Sequence, residues 1–208
     1  MMVGYLPDTF GHNSQLPTLL RGCNLDNIVF WRGIDHDTQV AQSQFIWRAP
    51  SGSQVIACAM LFGYGAAKNI QPDDAHLQEK IFPMVNLIRQ RAGLHDLLLP
   101  CGGDQVNIDP LLPEILQTVS ERSPTGDRFQ ISSREAFVDT LRQQADGFTC
   151  WQGELKSPRY TRIHKTIGSV RYDIKKKNYD IEQFLLGKLE PTIALSRHHD
   201  IKINQQKD

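Results

Sequence analysis

The chain contains 208 residues, and its 23 Lys and Arg balance 23 Asp and Glu, so its formal net charge at neutral pH is zero. Hydrophobic residues make up 40% and charged residues 22%, which is typical of globular proteins and excludes a disordered or collagen-like chain. The balanced charge gives no sign of a nucleic-acid or anionic-membrane partner, and no apolar run approaches the roughly 20 residues of a membrane-spanning helix.

Short apolar runs in the first two thirds of the chain predict β-strands. They are Val3–Leu6, Asn27–Trp31, Gln44–Trp47, Gln54–Leu61 and Asp96–Leu99, with a weaker one at Phe129–Ile131. The segment between the third and fourth runs contains Pro50 and Gly52, a composition typical of turns. We therefore expect these two runs to form an antiparallel hairpin.

Amphipathic stretches between and after these runs predict helices at Asp73–Arg91, Leu111–Glu121 and Arg134–Gln144. Pro83 lies inside the first and should kink or split it, and Ser133 is placed to cap the third. Strands that alternate with helices are typical of an α/β fold, either a parallel sheet or a barrel.

The character of the sequence changes near residues 148–162, which are polar and rich in turn residues. Beyond them, Tyr172–Leu195 carries apolar residues on roughly one helical face and predicts a long helix. Pro191 should kink that helix or end it near Glu190. We expect this helix to open a separate helical unit.

The amino terminus lacks the basic and apolar regions of a signal peptide, which favours a cytoplasmic protein. The four cysteines are scattered and form no CxxC pair, so neither a cysteine-ligated zinc site nor a disulfide framework is expected. The first predicted strand begins two residues into the chain, which suggests that the sequence starts inside a longer domain.

Three polar side chains follow apolar runs, where parallel α/β folds place their catalytic groups. They are Asp8, Arg32 and Asp104, the last preceded by Gly102 and Gly103. Each also has a structural interpretation, since Asp8 could cap a helix, Asp104 could stabilise a turn and Arg32 could be a surface residue. Two carboxylates and an arginine suit glycoside hydrolysis or metal-assisted hydrolysis, and the residue types do not choose between them.

The motifs around these residues resemble glycoside hydrolase family 38, the class II α-mannosidases, and most of all its bacterial branch. The resemblance rests on segments that occur in the family's order: Gly4–Asn13, Leu16-Pro17, Phe30–Gly33, Gly103–Gln105, Gly153–Leu155, Ser169–Lys175 with Asn178, and Glu190-Pro191. It implies that residues 1–148 form part of a seven-stranded (β/α) barrel and that residues 149–208 begin an α-helical bundle domain.

The resemblance also implies retaining, metal-dependent hydrolysis of α-mannosidic bonds, with a mannosylglycerate-type or oligosaccharide mannoside as substrate. Asp8 would be both nucleophile and metal ligand, and Asp104 the acid/base. Arg32 would hold the Asp8 carboxylate ionised, while Phe10 and Tyr64 would line the sugar subsite.

The metal site of the family needs more ligands than this sequence offers. Its His-x-Asp pair belongs to a strand that would precede residue 1, so Asp8 is one of about four expected zinc ligands. The His198-His199-Asp200 run resembles a later family segment, but it follows Glu190-Pro191 too soon to be that segment. The alternative is therefore a catalytically inactive, truncated fragment of low stability, with at most weak sugar binding.

Two further interpretations remain open. Asp35-His36-Asp37 has the composition of a metal site, although a polar loop is the simpler reading. A deacetylase-type metal hydrolase would need paired histidines near Asp8, and only His12 is close in sequence. The expected partners are a mannoside substrate and, if apolar faces are left exposed, a second copy of the chain.

Overall fold

The computed structural model describes residues 2–164 and 170–205, with side chains described as far as residue 198. Contacts divide the chain into two compact units, Met1–His164 and Lys165–Asp208, and each is treated by itself below. The domain boundary expected after residue 148 concerns the larger protein and stays a prediction.

The first unit is built on a five-stranded sheet with the order β1-β2-β4-β3-β5. The strands are β1 (Gly4–Leu6), β2 (Asn27–Phe30), β3 (Gln44–Arg48), β4 (Gln54–Ala59) and β5 (Cys150–Gln152). β1, β2 and β4 run parallel, while β3 is antiparallel to β4 and parallel to β5. The α/β class and the hairpin of β3 and β4 are thus confirmed.

Helices accompany this sheet, and those from α2 to α5 lie at the positions that the sequence predicts. They are α1 (Leu16–Gly22), α2 (Asp74–His76), α3 (Phe82–Arg91), α4 (Leu112–Glu121) and α5 (Arg134–Gln144), with a π-helical stretch at Leu77–Ile81 between α2 and α3. The predicted cap of α5 is confirmed, because the Ser133 hydroxyl accepts a 3.1 Å hydrogen bond from the backbone N–H of Ala136.

The core lies on both faces of β2, whose four residues are all buried. Ile28 and Phe30 pack into one cluster with Trp47, whereas Val29 packs into another with Phe137 of α5. This alternation follows from the two-residue repeat of a strand. A third cluster is formed by α3, α4 and the chain that precedes α3. β2 is therefore the rigid centre from which its following loop projects.

Two predicted strands, Asp96–Leu99 and Phe129–Ile131, are wrong, since neither segment forms a strand. In the first segment the apolar side chains serve the core without forming a strand, because Leu97 and Leu99 pack against the third cluster. In the second segment the Phe129 N–H donates to the Ser120 hydroxyl at 2.8 Å. Conversely, β5 lies in the turn-rich segment for which the sequence predicts no strand.

The second unit is helical over all of its described residues beyond Arg171. It comprises α6 (Tyr172–Phe184), a π-helical stretch at Leu185–Leu189 and α7 (Glu190–Gln205). The long helix is confirmed, and of the two effects expected of Pro191, a kink or an end near Glu190, the second is wrong because the helix continues to Gln205. Within the described residues, none of the helices combines the length and the apolar character needed to cross a membrane.

A common feature explains why neither proline ends its helix. Pro83 and Pro191 each occupy the second position of an α-helix that directly follows a π-helical stretch. A proline inside an α-helix lacks an N–H and clashes with the carbonyl four residues before it. The wider π turn changes the hydrogen-bond pattern at this point, so the helix accommodates the ring and continues.

Candidate active site

Asp8 and Arg32 meet where two neighbouring strands end. Asp8 follows β1 and Arg32 follows β2, and these strands are parallel, so their following loops lie at one edge of the sheet. The Arg32 Nε and Nη2 atoms both lie 2.6 Å from Oδ1 of Asp8. Oδ2 of Asp8 accepts no hydrogen bond from any described residue, and 44% of this side chain is exposed. One carboxylate oxygen is therefore anchored and the other is available.

The guanidinium of Arg32 is held by aromatic rings as well as by Asp8. Its central carbon lies 3.9 Å from the ring centroid of Trp31 and 4.9 Å from that of Phe10. Such cation–π contacts strengthen as water is excluded, and the Arg32 side chain is only 13% exposed. Its Nη1 also donates to the carbonyl of Arg162 at 3.1 Å. These contacts fix the plane of the guanidinium and, through it, the orientation of Asp8.

Tyr64 joins this pair to the second carboxylate. Its ring packs edge-to-face on Trp31 with centroids 5.5 Å apart, and its hydroxyl donates to Oδ2 of Asp104 at 3.4 Å. Desolvation raises the pKa of Tyr64, and the charges of Asp8 and Asp104 raise it further. The phenol thus contacts Asp104 directly and lies on the indole ring that supports the Arg32–Asp8 pair.

Gly63 allows Tyr64 to take this position. Its φ angle is +74°, a region that side chains rarely adopt, and an added Cβ would lie 2.6 Å from Cε2 of Trp31. Only glycine fits beneath the indole without displacing it. The Phe62–Gly65 segment is thus shaped locally to bring a tyrosine against the ring that also supports Arg32.

The loops that carry Tyr64 and Asp104 are joined by hydrogen bonds. The N–H of Ala67 donates to the carbonyl of Pro100 at 2.8 Å, and the thiol of Cys101 donates to the carbonyl of Ala67 at 3.5 Å. Lys68 continues this contact, since an added Cβ at Gly103 would lie 3.4 Å from its Cδ and 3.5 Å from its Nζ. Sequence spacing does not point to Lys68, because these loops are distant in the chain.

The segment after β5 closes the other side of the site. Leu155 exchanges two backbone hydrogen bonds with His12, and the Ser157 N–H donates to the carbonyl of Gly33 at 2.9 Å. Gly33 has a φ angle of +101°, and an added Cβ there would lie 2.2 Å from the Leu155 carbonyl oxygen, so no side chain fits. Further along, the ring of His164 packs against Phe10 with centroids 4.8 Å apart.

His12 is buried in the core next to the site and is not exposed at the site itself. It is 3% exposed, and its ring packs edge-on against Phe30 and Trp47. Within the described part of the chain, neither ring nitrogen has a hydrogen-bond partner. Burial lowers the pKa of His12 to about 4, although the Arg32 backbone opposes this shift. The imidazole is therefore neutral at physiological pH.

The described residues contain no cluster of three or more His, Cys, Asp or Glu side chains that could hold a metal. Asp8 by itself is one carboxylate, whereas catalytic zinc sites use about three protein ligands. Of the His198-His199-Asp200 run, only the His198 side chain is described, and it is exposed. The residues present therefore do not fit a complete zinc site.

The Asp35-His36-Asp37 trio is engaged within the protein. Oδ1 of Asp35 accepts from the backbone N–H groups of Asp37 and Thr38, and Nδ1 of His36 lies 2.9 Å from the carbonyl of Val40. Asp37 pairs with Arg159 at 2.7 Å. These contacts stabilise a polar loop and favour the structural interpretation of the trio.

Comparisons with known proteins define the class to which this fold and site belong. Residues 1–154 match the family described as the glycosyl hydrolases family 38 N-terminal domain. The match covers most of the first compact unit, which carries the β-sheet and the residues of the candidate site. The chain belongs to glycosyl hydrolase family 38.

The relatives agree with this assignment. The chain is 27% identical over 218 residues to a protein of Halalkalibacterium halodurans named "Putative mannosylglycerate hydrolase", with 95% of this chain covered. It is 24% identical over 198 residues to human "Alpha-mannosidase 2C1". An α-mannosidase structure from Enterococcus faecalis V583 shares the fold, with a TM-score of 0.69 at 20% identity over 76% of this chain.

The chain spans only a part of each relative. It covers 24% of the length of the bacterial protein, 18% of the human one and 18% of the Enterococcus structure. Family membership therefore applies to this chain, whereas the activity and the substrate of a whole enzyme are inferred in the following section.

Proposed function

We propose that this chain carries the catalytic side chains of a retaining α-mannosidase, with Asp8 as nucleophile and Asp104 as acid/base. One observation supports the pairing above all others: Tyr64 packs on Trp31, the ring that also supports the Arg32–Asp8 pair, while its hydroxyl donates to Asp104 at 3.4 Å. Retaining glycosidases hold two carboxyl groups about 5–5.5 Å apart around the scissile bond. Tyr64 would thus link the two carboxylates within one site, and the retaining mechanism predicts that their carboxyl groups lie at about that separation.

The contacts of Asp8 suit attack on the anomeric carbon. Two nitrogens of Arg32 contact Oδ1 of Asp8. The other oxygen, Oδ2, would therefore form the bond to C1 of the sugar. Asp104 would donate its proton to the leaving oxygen and then take a proton from the water that releases the sugar. The hydroxyl of Tyr64 would orient Asp104 during both proton transfers.

Aromatic side chains beside these carboxylates suit a sugar ring. Phe10 contacts the guanidinium that holds Asp8, and the Tyr64 hydroxyl contacts Asp104, so each carboxylate has an aromatic ring near it. An apolar ring face stacks on the C–H groups of a sugar while the carboxylates and the phenol hydrogen-bond its hydroxyls. We assign Phe10, Arg32 and Tyr64 to the substrate subsite on this basis.

Several features of the whole enzyme remain proposals. The sheet would be part of a seven-stranded barrel, and Asp8 would be one ligand of a divalent metal, zinc for preference. The remaining ligands would have to come from another segment, so we assign no step of the reaction to the metal. A cytoplasmic location, a mannosylglycerate-type or oligosaccharide mannoside as substrate, and self-association likewise remain proposals.

Covalent trapping tests the role of Asp8 directly. The chain would be incubated with a fluorinated mannosyl fluoride, which forms glycosyl-enzymes that hydrolyse slowly, with and without added zinc. Intact-mass spectrometry should detect one sugar adduct, and peptide mapping should place it on Asp8. Asp8→Ala should abolish the adduct, whereas Asp146→Ala, at an exposed aspartate remote in sequence from the catalytic motifs, should leave it unchanged.

The result separates the two functions that the sequence left open. An adduct on Asp8 supports the catalytic role. Mannoside binding without any adduct, in either the presence or the absence of zinc, would instead support sugar binding by an inactive fragment. An adduct on a residue other than Asp8 would contradict the proposed mechanism.

A further inference from the structure

His164 is an exposed side chain that contacts a residue of the proposed sugar subsite and has no role in the reaction described so far. The centroid of its ring lies 4.8 Å from that of Phe10, with the two ring planes tilted by 60°. Among the described residues, its imidazole makes neither a hydrogen bond nor an ion pair. The ring is therefore held against Phe10, while both of its nitrogens are available to a ligand.

Backbone contacts fix the segment that carries His164 to the loop after β2. The Gly33 N–H donates to the hydroxyl of Thr161 at 3.3 Å, and Nη1 of Arg32 donates to the carbonyl of Arg162 at 3.1 Å. Arg162 lies only two residues before His164. These contacts therefore hold the imidazole near the edge of the sheet at which β1 and β2 end.

Arg32 joins this segment to the proposed nucleophile. Its Nε and Nη2 atoms contact Oδ1 of Asp8, while its Nη1 atom contacts the segment. The ring of Phe10, which contacts His164, lies 4.9 Å from the same guanidinium carbon. His164 is thus connected to Asp8 by its own backbone and by Phe10. Because both connections meet at a largely buried guanidinium, the imidazole is positioned before any ligand binds.

The side chains of the site contact one another in a single order. They are Asp104, Tyr64, Trp31, Arg32, Phe10 and His164. A general acid must be within hydrogen-bond reach of the leaving oxygen, so the leaving group lies next to Asp104. His164 is at the opposite end of this order, beyond the arginine that holds the nucleophile. We therefore expect it beside the sugar that is attacked and not beside the leaving group.

An imidazole next to an aromatic ring has the chemistry to bind a sugar hydroxyl. A neutral imidazole offers one N–H donor and one acceptor nitrogen, and a hydroxyl can likewise donate and accept. The face of Phe10 can stack on the C–H groups of the same sugar. Together the two rings offer apolar and polar contacts to adjacent parts of one ligand.

We propose that His164 is a specificity residue of the sugar subsite, where an imidazole nitrogen hydrogen-bonds one hydroxyl of the mannosyl ring that stacks on Phe10. This inference rests on the proposed function, because Phe10 must line the subsite and Asp8 must attack C1. The hydroxyl is one remote from C1, on C3, C4 or C6, since Arg32 and Phe10 separate His164 from Asp8 in the order of contacts. The aglycone takes no part in this contact.

Methyl α-mannoside and its monodeoxy analogues test this contact. Each analogue lacks the hydroxyl at C2, C3, C4 or C6, and binding to the full chain would be followed by NMR titration with and without zinc. In the wild type, removal of the hydroxyl bound by His164 should weaken binding about 5-fold, which corresponds to one neutral hydrogen bond. p-Nitrophenyl α-mannoside provides a second ligand with a different aglycone.

Variants of His164 separate the hydrogen bond from the ring contact. His164→Phe keeps an aromatic ring but no nitrogen, so it should bind methyl α-mannoside about 5-fold more weakly and should not distinguish it from the affected analogue. His164→Gln keeps a donor and an acceptor and should restore part of the affinity. His95→Phe changes another exposed histidine, which makes no hydrogen bond or ring contact within the described residues, and should leave the affinities unchanged.

Each outcome decides one proposal. The inference is supported if the loss for one analogue, deoxygenated at C3, C4 or C6, disappears in His164→Phe and if this variant weakens both aglycones equally. It is overturned if His164→Phe binds all ligands like the wild type, weakens every analogue equally, affects only the C2 hydroxyl, or acts on one aglycone alone. In those cases the proposed function stands. If no mannoside binds, the proposed function falls and the inference falls with it.

Discussion

The two compact units use their apolar residues in opposite ways. In the first unit Phe30 and Trp47 are completely buried around the central strand. In the second, Ile181 and Phe184 are more than half exposed, and no residue of α6 is buried. Both patterns look alike in the sequence, because each has the regular spacing of one apolar face.

The difference shows that amphipathic spacing predicts an element and not the packing of that element. In the first unit the strand and helix patterns complement each other, so each buries the other's apolar face. The helix Tyr172–Gln205 has the same kind of face, and most of its large apolar side chains remain exposed. Its stability as described rests more on backbone hydrogen bonds and propensity than on burial.

A pair of matched truncations tests this contrast most strongly. Phe30→Ala should lower the free energy of unfolding of the first unit by about 3–5 kcal/mol, because it empties a closed site. Phe184→Ala, at an exposed side chain of the second unit, should change the free energy of unfolding by less than about 0.5 kcal/mol. Tryptophan fluorescence in a denaturant titration reports on the first unit, since all three tryptophans lie there, and circular dichroism follows the helix.

Either half of that experiment can break the comparison. A loss above about 2 kcal/mol for Phe184→Ala would mean that the exposed face is covered in solution, for instance by a second copy of the chain. A small loss for Phe30→Ala would mean that the sheet is not the cooperative core. A single cooperative transition at high temperature would contradict the low stability that the sequence leads us to expect.

Acid should destabilise the first unit through His12. The folded pKa is about 4 and the ordinary value is 6.5, so the unfolded chain binds the proton first as the pH falls. Stability should therefore decline between pH 6.5 and pH 4 by at most about 3 kcal/mol. Urea titrations across this range provide the measurement.

His12→Leu identifies the residue responsible for that slope. The ring nitrogens have no partner among the described residues, so an apolar side chain of similar size should be tolerated. The variant should flatten the decline, leaving the smaller share of His36, whose pKa burial also lowers. An unchanged slope would mean that His12 is protonated or solvated in the folded chain.

The ion pair of Asp26 and Arg142 should have a smaller effect at lower pH. Arg142 holds Asp26 through Nε at 2.9 Å and Nη2 at 2.7 Å, and it lowers the pKa of Asp26 to about 2 from 3.8. This stabilisation is present above pH 3.8 and is lost as the pH falls towards 2. Both side chains are about one third exposed, so its value after screening is about 1 kcal/mol.

Arg142→Met should remove that contribution at pH 7, and the loss should be much smaller at pH 2, where about half of Asp26 is already protonated in the folded wild-type chain. The exposed Arg21, which makes no ion pair within the described residues, offers the control Arg21→Met. A loss for Arg142→Met that is just as large at pH 2 would indicate packing of the arginine stem and not charge.

The fold was predictable where a segment carries its own signal. β2 and β4 combine apolar side chains with turn residues at their ends, and α5 has both a cap and a periodic face. Asp96–Leu99 has an equally apolar run, but whether it pairs depends on a neighbouring strand that local sequence does not reveal. β5 has the opposite problem, because its three residues gain their strand conformation from β3.

The candidate site was predictable to a similar degree. Asp8 and Arg32 follow strands, so parallel topology alone brings them to one edge, and the structure joins them at 2.6 Å. The link from Tyr64 to Asp104 depends on Gly63 beneath Trp31, a packing detail that spacing does not encode. The position of Lys68 was not predictable for the same reason, because only the hydrogen-bonded loops bring it beside Gly103.

The π-helical stretch before Pro191 also determines how the side-chain faces of α7 are rotated relative to those of α6. An α-helix advances about 100° per residue, and a wider turn inserts roughly one additional residue without lengthening the helix in proportion. The faces before and after Leu185–Leu189 are therefore offset, and an apolar stripe that crosses the stretch must step sideways. Replacing Pro191 and deleting one residue from the stretch would restore a regular α-helix. All of α7 would then be rotated about the helix axis relative to α6.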